Sequence, residues 1–202
     1  MAHNSSPTGY YIPLLIAFMF ITFSAHAQST DELLKEVNTK FYFKGEPIHP
    51  ELLRLFNSSM TDAPIVMTVD LCTGFHSRLC YHKIAVDGKI VTEHMHDAQG
   101  NQTGSYEYEY LGRLNNGVHV VCAMCYNDVL GTFSDLLFVS FKIRKTYDYN
   151  GKIQEQLLMT LEKCYNIGNR ATSKVTLNKN SVTIDKPVDS DKPVVVTFGE
   201  GQ

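Results

Sequence analysis

The sharpest chemical signal in the chain is His94-Met95-His96. Residues two apart on a strand point to the same face, so both imidazoles can converge on one divalent metal such as zinc. His119 is a candidate third ligand, with His76 in the Cys72 to Cys80 loop and the carboxylate of Asp97 as alternatives. Three protein ligands and an open position would hold a water whose pKa falls towards about 7, the chemistry of a metal-dependent hydrolase or lyase. The competing reading puts His94 and His96 in solvent beside a loop, on the face shared with Lys83 and Thr92. His82 and Glu93 fall on the opposite, more core-like face, where they would form an acid/base pair or a structural one.

Two family resemblances attach to these histidines. Gly88, five residues, His94, one residue and His96 resemble the opening of the cupin metal motif. Gly100 or Asn101 stands where that motif has its glutamate, and the second cupin motif is not recognisable. The spacing His94-x-His96 with His119 beyond is similar to the zinc-ligand spacing of α-carbonic anhydrases, which also place these ligands on antiparallel strands. The chain has no Trp, lacks that family's Thr-Thr-Pro segment and is short for it. Each resemblance covers fewer than 35 residues, and the chain is assigned to neither family.

The chain has five cysteines, an odd number. Cys72 and Cys80 bracket a short loop and are expected to form a disulfide in an oxidising compartment. Cys122-Ala123-Met124-Cys125 has the spacing of redox dithiols, but the segment reads as a strand. Its two thiols then point to opposite faces as small buried hydrophobes. Tyr106, Tyr108 and Tyr110 alternate with Glu107 and Glu109 along one strand face. Such a ladder could stack on the rings of a glycan or small ligand, or pack across strands.

The elements that must position these groups are mostly strands. Ser29 to Asn38 carries a capping-box pattern with Glu32 and reads as a short helix; His49 to Asn57, with Pro50 in the first helical position, reads as a second. From Pro64 the apolar period becomes two, with Ile65, Met67, Val69 and Leu71 on one side of a strand. Three hairpins follow, turning at Asp87-Gly88, Asn115-Asn116-Gly117 and Asn150-Gly151. A strict two-residue turn at Asp87-Gly88 would set His94 opposite Tyr81, His96 opposite Leu79 and His82 opposite Glu93. A three-residue loop at 115–117 would set Tyr110 opposite Cys122 and leave His119 on the other face. Weaker strands flank Asn178-Lys179-Asn180, and Val194 to Phe198 reads as a last edge strand. The fold expected is mainly β, an antiparallel sandwich or barrel of consecutive hairpins with one or two short N-terminal helices.

Lys and Arg number 18 against 21 Asp and Glu, for a net charge of -3, with no block of like charges. No nucleic-acid partner is expected of such a chain. Ile12 to Phe23 is apolar and is followed by Ala25-x-Ala27, so residues 1–27 read as a signal peptide cut before Gln28, although no Lys or Arg precedes the apolar run. That run is also short of the roughly 20 residues of a membrane span. Residues 28–202 are then expected to be one secreted or periplasmic β domain, non-catalytic, binding a small molecule, a glycan or a protein, or serving a structural role. The metal-dependent enzyme built on His94 and His96 is the alternative.

Overall fold

The computed structural model describes residues 28–56, 67–76, 83–127, 131–168, 173–187 and 190–198. The first helix, α1 (Thr30–Lys40), begins where the capping pattern places it. The Ser29 hydroxyl accepts from the Glu32 N–H at 3.2 Å, and the Ser29 N–H donates to the Glu32 carboxylate at 2.9 Å. Leu33 and Val37, four apart, are its buried face. The helix ends at Phe41, whose left-handed backbone (φ 58°) lets its N–H reach the Val37 carbonyl. Strands β1 (Tyr42–Phe43) and β2 (Glu46–Pro47) then pair around Lys44-Gly45, both with positive φ, as a two-residue hairpin turn requires.

The second helix, α2 (Pro50–Arg54), is capped by His49, whose Nδ1 accepts from the Glu51 N–H. It stops three residues before the expected end. Of the expected strand from Ile65 to Leu71, Ile65 and Val66 lie outside the described residues; β3 (Thr68–Asp70) ends one residue early because the chain turns directly into a third helix, α3 (Leu71–His76). Asp70 starts that helix by accepting from the Cys72 N–H and the Thr73 hydroxyl. An Asp ending a strand and capping a helix is a local signal that the two-residue period obscures.

The remaining strands are β4 (Ile84–Asp87), β5 (Ile90–His96), β6 (Gln102–Arg113), β7 (His119–Asn127), β8 (Gly131–Tyr147) and β9 (Ile153–Asn166), followed by β10 (Lys174–Leu177), β11 (Ser181–Asp185) and β12 (Val194–Thr197). A seven-stranded antiparallel sheet has the order β3-β9-β8-β7-β6-β5-β4 and curls into a half-barrel; β10-β11-β12 form a separate three-stranded sheet. One face of the large sheet takes the helices, with Leu33, Val37, Phe41, Leu52 and Phe56 packed on Tyr106, Tyr108, Val121, Leu137 and Met159. The other face takes the small sheet, with Val182, Ile184 and Val196 packed on Val120, Cys122, Leu136 and Phe138. A mainly β antiparallel sandwich with short helices is therefore the architecture. Cys122 and Cys125 do point into opposite layers.

Two registers differ from expectation. Asp87 pairs with Ile90, so the first hairpin turns at Gly88-Lys89, with Gly88 taking the positive φ (59°). This moves the register by two residues, which keeps every side chain on its expected face but sets Ile84, not His82, opposite Glu93. His82, Tyr81 and Leu79 lie outside the described residues. In the second hairpin Arg113 faces His119 as the three-residue loop requires, but a one-residue bulge between Tyr110 and Gly112 then sets Tyr110 opposite Val121, not Cys122. Gly112 (φ 144°) supplies the backbone the bulge needs.

The expected Cys72–Cys80 disulfide falls partly outside the described residues, among which no disulfide is formed. Cys72 sits half-buried on α3 against the helix-side core and carries no disulfide, nor do Cys122, Cys125 and Cys164; Cys80 lies outside the described residues. Among the described residues no helix is long and apolar enough to cross a membrane.

Candidate functional site

The bulge at Gly112 decides where the tyrosine ladder goes. Each tyrosine pairs with a residue of the helix-side core: Tyr106 with Cys125, Tyr108 with Ala123 and Tyr110 with Val121. Tyr106 is fully buried and Tyr108 nearly so. The Tyr108 hydroxyl donates to the Ile48 carbonyl at 2.7 Å, and burial pushes its pKa far above the ordinary phenol range. Tyr110, nearer the end of the strand, is half-buried.

The same bulge puts His119 beside Tyr110 instead of on the other face. His119 Nε2 donates to the Asn38 side-chain oxygen of α1 at 3.1 Å, which leaves Nδ1 to accept from the Tyr110 hydroxyl, also at 3.1 Å. Burial, aided by the charge of Arg113, lowers the His119 pKa to about 3, so the imidazole is neutral and this tautomer is held. Phe41 stacks on Tyr110 with ring centroids 4.7 Å apart and rings nearly parallel. A left-handed aromatic residue is costly, and here the strain turns the Phe41 ring from the end of α1 onto the sheet.

Tyr110, with Tyr108, forms the floor of an open cavity of about 350 Å³. One wall is the end of α1 and the β1–β2 ribbon, with Lys40, Phe41, Tyr42 and Pro47; the other is the β4–β5 hairpin, with Val86, Gly88, Lys89 and Val91. Tyr108 and Tyr110 lie between them. The volume is within the range of small-molecule sites, and the lining is mainly apolar and aromatic. Lys40 and Lys89 are exposed, and neither has an ion-pair partner among the described residues. No carboxylate, imidazole, thiol or aliphatic hydroxyl among the described residues lines the cavity.

The other sequence candidates are placed apart. His94 and His96 are exposed on β5, with His94 opposite Ser105, whereas His119 is buried opposite Arg113 at the far end of β6. Eight residues of strand separate those two partners, roughly 26 Å at strand rise. Both ring nitrogens of His119 are already bonded. The Asp97 carboxylate is occupied by its own turn, accepting from the Gln99 and Asn101 N–H groups and the Asn101 side-chain amide, which lower its pKa. The His76 side chain lies outside the described residues. Among the described residues no group of three or more His, Cys, Asp or Glu is placed to hold a metal ion. Of the three tyrosines, two line the cavity and Tyr106 does not.

Lys40, Phe41, Val86 and Lys89 were not legible as site residues. The signal nearest to hand was the aromatic run Phe41-Tyr42-Phe43 between Lys40 and Lys44, directly after a helix. No family model, curated protein or solved structure matches the chain.

Proposed function

We propose that the chain is a non-catalytic binding protein whose cavity takes a small apolar molecule carrying one anionic group, such as a carboxylate or sulfonate. The observation that carries this reading is an aromatic floor flanked, at opposite walls of the same cavity, by two lysines with no ion-pair partner among the described residues. The aromatic and valine surfaces supply the non-directional attraction, and an acid group held at the rim would meet Lys40 and Lys89 without being desolvated. The apolar segment Ile12–Phe23 and Ala25-x-Ala27 support a location outside the cytosol in the same proposal, and mass spectrometry of the exported protein's N-terminus tests that part.

The probe for the cavity is anilinonaphthalene sulfonate, with N-phenylnaphthylamine as its neutral counterpart. The native protein is expected to enhance the fluorescence of both. Changing Lys40→Gln and Lys89→Gln together should weaken the sulfonate several-fold, with a ceiling of roughly 30-fold for two exposed ion pairs, and leave the neutral probe alone. Equal affinity of that variant and the native protein for the sulfonate would overturn the charge assignment. Binding of neutral oligosaccharides with neither probe competing would overturn the cavity assignment.

A further inference from the structure

Strands β8 and β9 run past the rest of the sheet. Among the described residues β8 has no partner on β7 beyond Val139, and β9 has none on β3 beyond Leu158 towards the turn, so residues 143–157 form a two-stranded ribbon. From its base the inner face of the ribbon continues the core for two cross-strand pairs, Phe141 with Met159 and Ile143 with Leu157, then carries Lys145 opposite Glu155 and, nearest the turn, Tyr147 opposite Ile153. Those last two are 70% and 58% exposed, and Tyr149 in the turn is 97% exposed. The ribbon and its base also carry Lys142 and Arg144 on the other face, Lys145 on the inner face and Lys152 beside the turn, against two acids, in a chain that is acidic overall. Of the two acids, Asp148 is bound up in the turn, accepting from the Asn150 and Lys152 N–H groups, and Glu155 faces Lys145 at 3.8 Å.

We infer that this ribbon tip docks the protein on a phospholipid bilayer with anionic headgroups. Tyrosine favours the headgroup level, where its ring meets acyl chain and its hydroxyl meets water. Ile153 and Tyr147 form an apolar pair that a shallow insertion covers, and the basic side chains reach the phosphates around it. A protein partner fits less well, because three side chains at the end of a ribbon fall short of the roughly 800 Å² a side of a stable interface. The up-and-down order of the sheet places the β8–β9 tip at the same end as the β4–β5 tip, whose Gly88 and Lys89 line the cavity. Docking by this tip turns the cavity end of the molecule towards the membrane. The inference does not depend on what the cavity holds.

The test is co-sedimentation of the native protein with vesicles of phosphatidylglycerol mixed with phosphatidylcholine, beside vesicles of phosphatidylcholine alone. The mixed vesicles should capture the protein in a salt-sensitive way. Lys145→Gln with Lys152→Gln should lower partitioning about 30-fold, at ~1 kcal/mol for each basic side chain near the surface. The triple change Tyr147→Ser, Tyr149→Ser, Ile153→Ser should lower it more than about tenfold with unfolding unchanged, since all three are exposed. The chain has no tryptophan, so Tyr149→Trp gives a single reporter whose emission should move to the blue on mixed vesicles. No capture by the mixed vesicles, capture indifferent to both variants, or an unmoved tryptophan emission would each overturn the inference. So would capture by a protein or cell-wall fraction without capture by vesicles.

Discussion

Asp135 is a carboxylate in the wrong place, and its removal has a calculable, pH-dependent effect. It lies on β8 opposite Ala123 and Asn166, is 2% exposed, and its Oδ2 has no hydrogen-bond partner among the described residues. Burial pushes its pKa up to about 6 from an ordinary value near 3.8. The folded state therefore holds a proton that the unfolded chain has lost between those values, so stability is complete below about pH 4 and falls as pH rises through about 6. At about pH 8 the cost is roughly 3 kcal/mol, since each tenfold weakening of an acid corresponds to about 1.36 kcal/mol. Asp135→Asn keeps the shape and removes the charge. Urea unfolding of both chains should give nearly equal stabilities at about pH 4 and a variant more stable by roughly 2–3 kcal/mol at about pH 8. Other titrations are common to both chains and cancel in the difference. A gap between the two chains that does not change with pH would refute the reasoning, whatever its size.

His119 works in the opposite sense. Its folded pKa of about 3 lies below the unfolded 6.5, so its contribution is present above about pH 6.5 and is lost as pH falls towards 3. His119→Gln should flatten that acid limb in the same urea series; an unchanged limb would remove the buried neutral imidazole from the account. Gly104 pairs with Asn127 on β7, and a Cβ there would stand 2.3 Å from the Tyr126 carbonyl oxygen and 2.8 Å from the Met95 methyl. Gly104→Ala should cost about 1–3 kcal/mol in thermal or urea unfolding, and a neutral result would mean the strands part without penalty.

Much of the fold was legible because its signals are local. Ser29 with Glu32, Pro50, and the glycines at 88, 117 and 151 each act within a few residues, and a helix start or a turn follows from them directly. The separation of Cys122 from Cys125 needed only the two-residue period of a strand. What failed was length and count. Asp70 ended a strand by capping a helix, and Gly88 took the first central position of its turn instead of the second. The latter moved the register by two, which is harmless to the faces; a shift of one is not.

The site turns on such a shift of one. Had β6 and β7 kept the register set at their turn, Tyr110 would oppose Cys122 and share the small-sheet face, and His119 would point away from it. The extra residue before Gly112 exchanges the faces of everything between Gly104 and Tyr110 relative to β7. That exchange brings Tyr110 under Phe41 and within 3.1 Å of His119, which Asn38 of α1 holds from the other side. A histidine whose spacing suggested a metal ligand thus becomes a neutral strut between a helix and a cavity floor. The cavity itself draws on residues 40–47, 86–91 and 108–110; Val91 pairs with Tyr108 across β5 and β6, and the packing of Phe41 at the end of α1 on Tyr110 brings in the first stretch. No spacing rule links them, and the one local mark of the arrangement is a glycine placed inside a strand shortly before a turn.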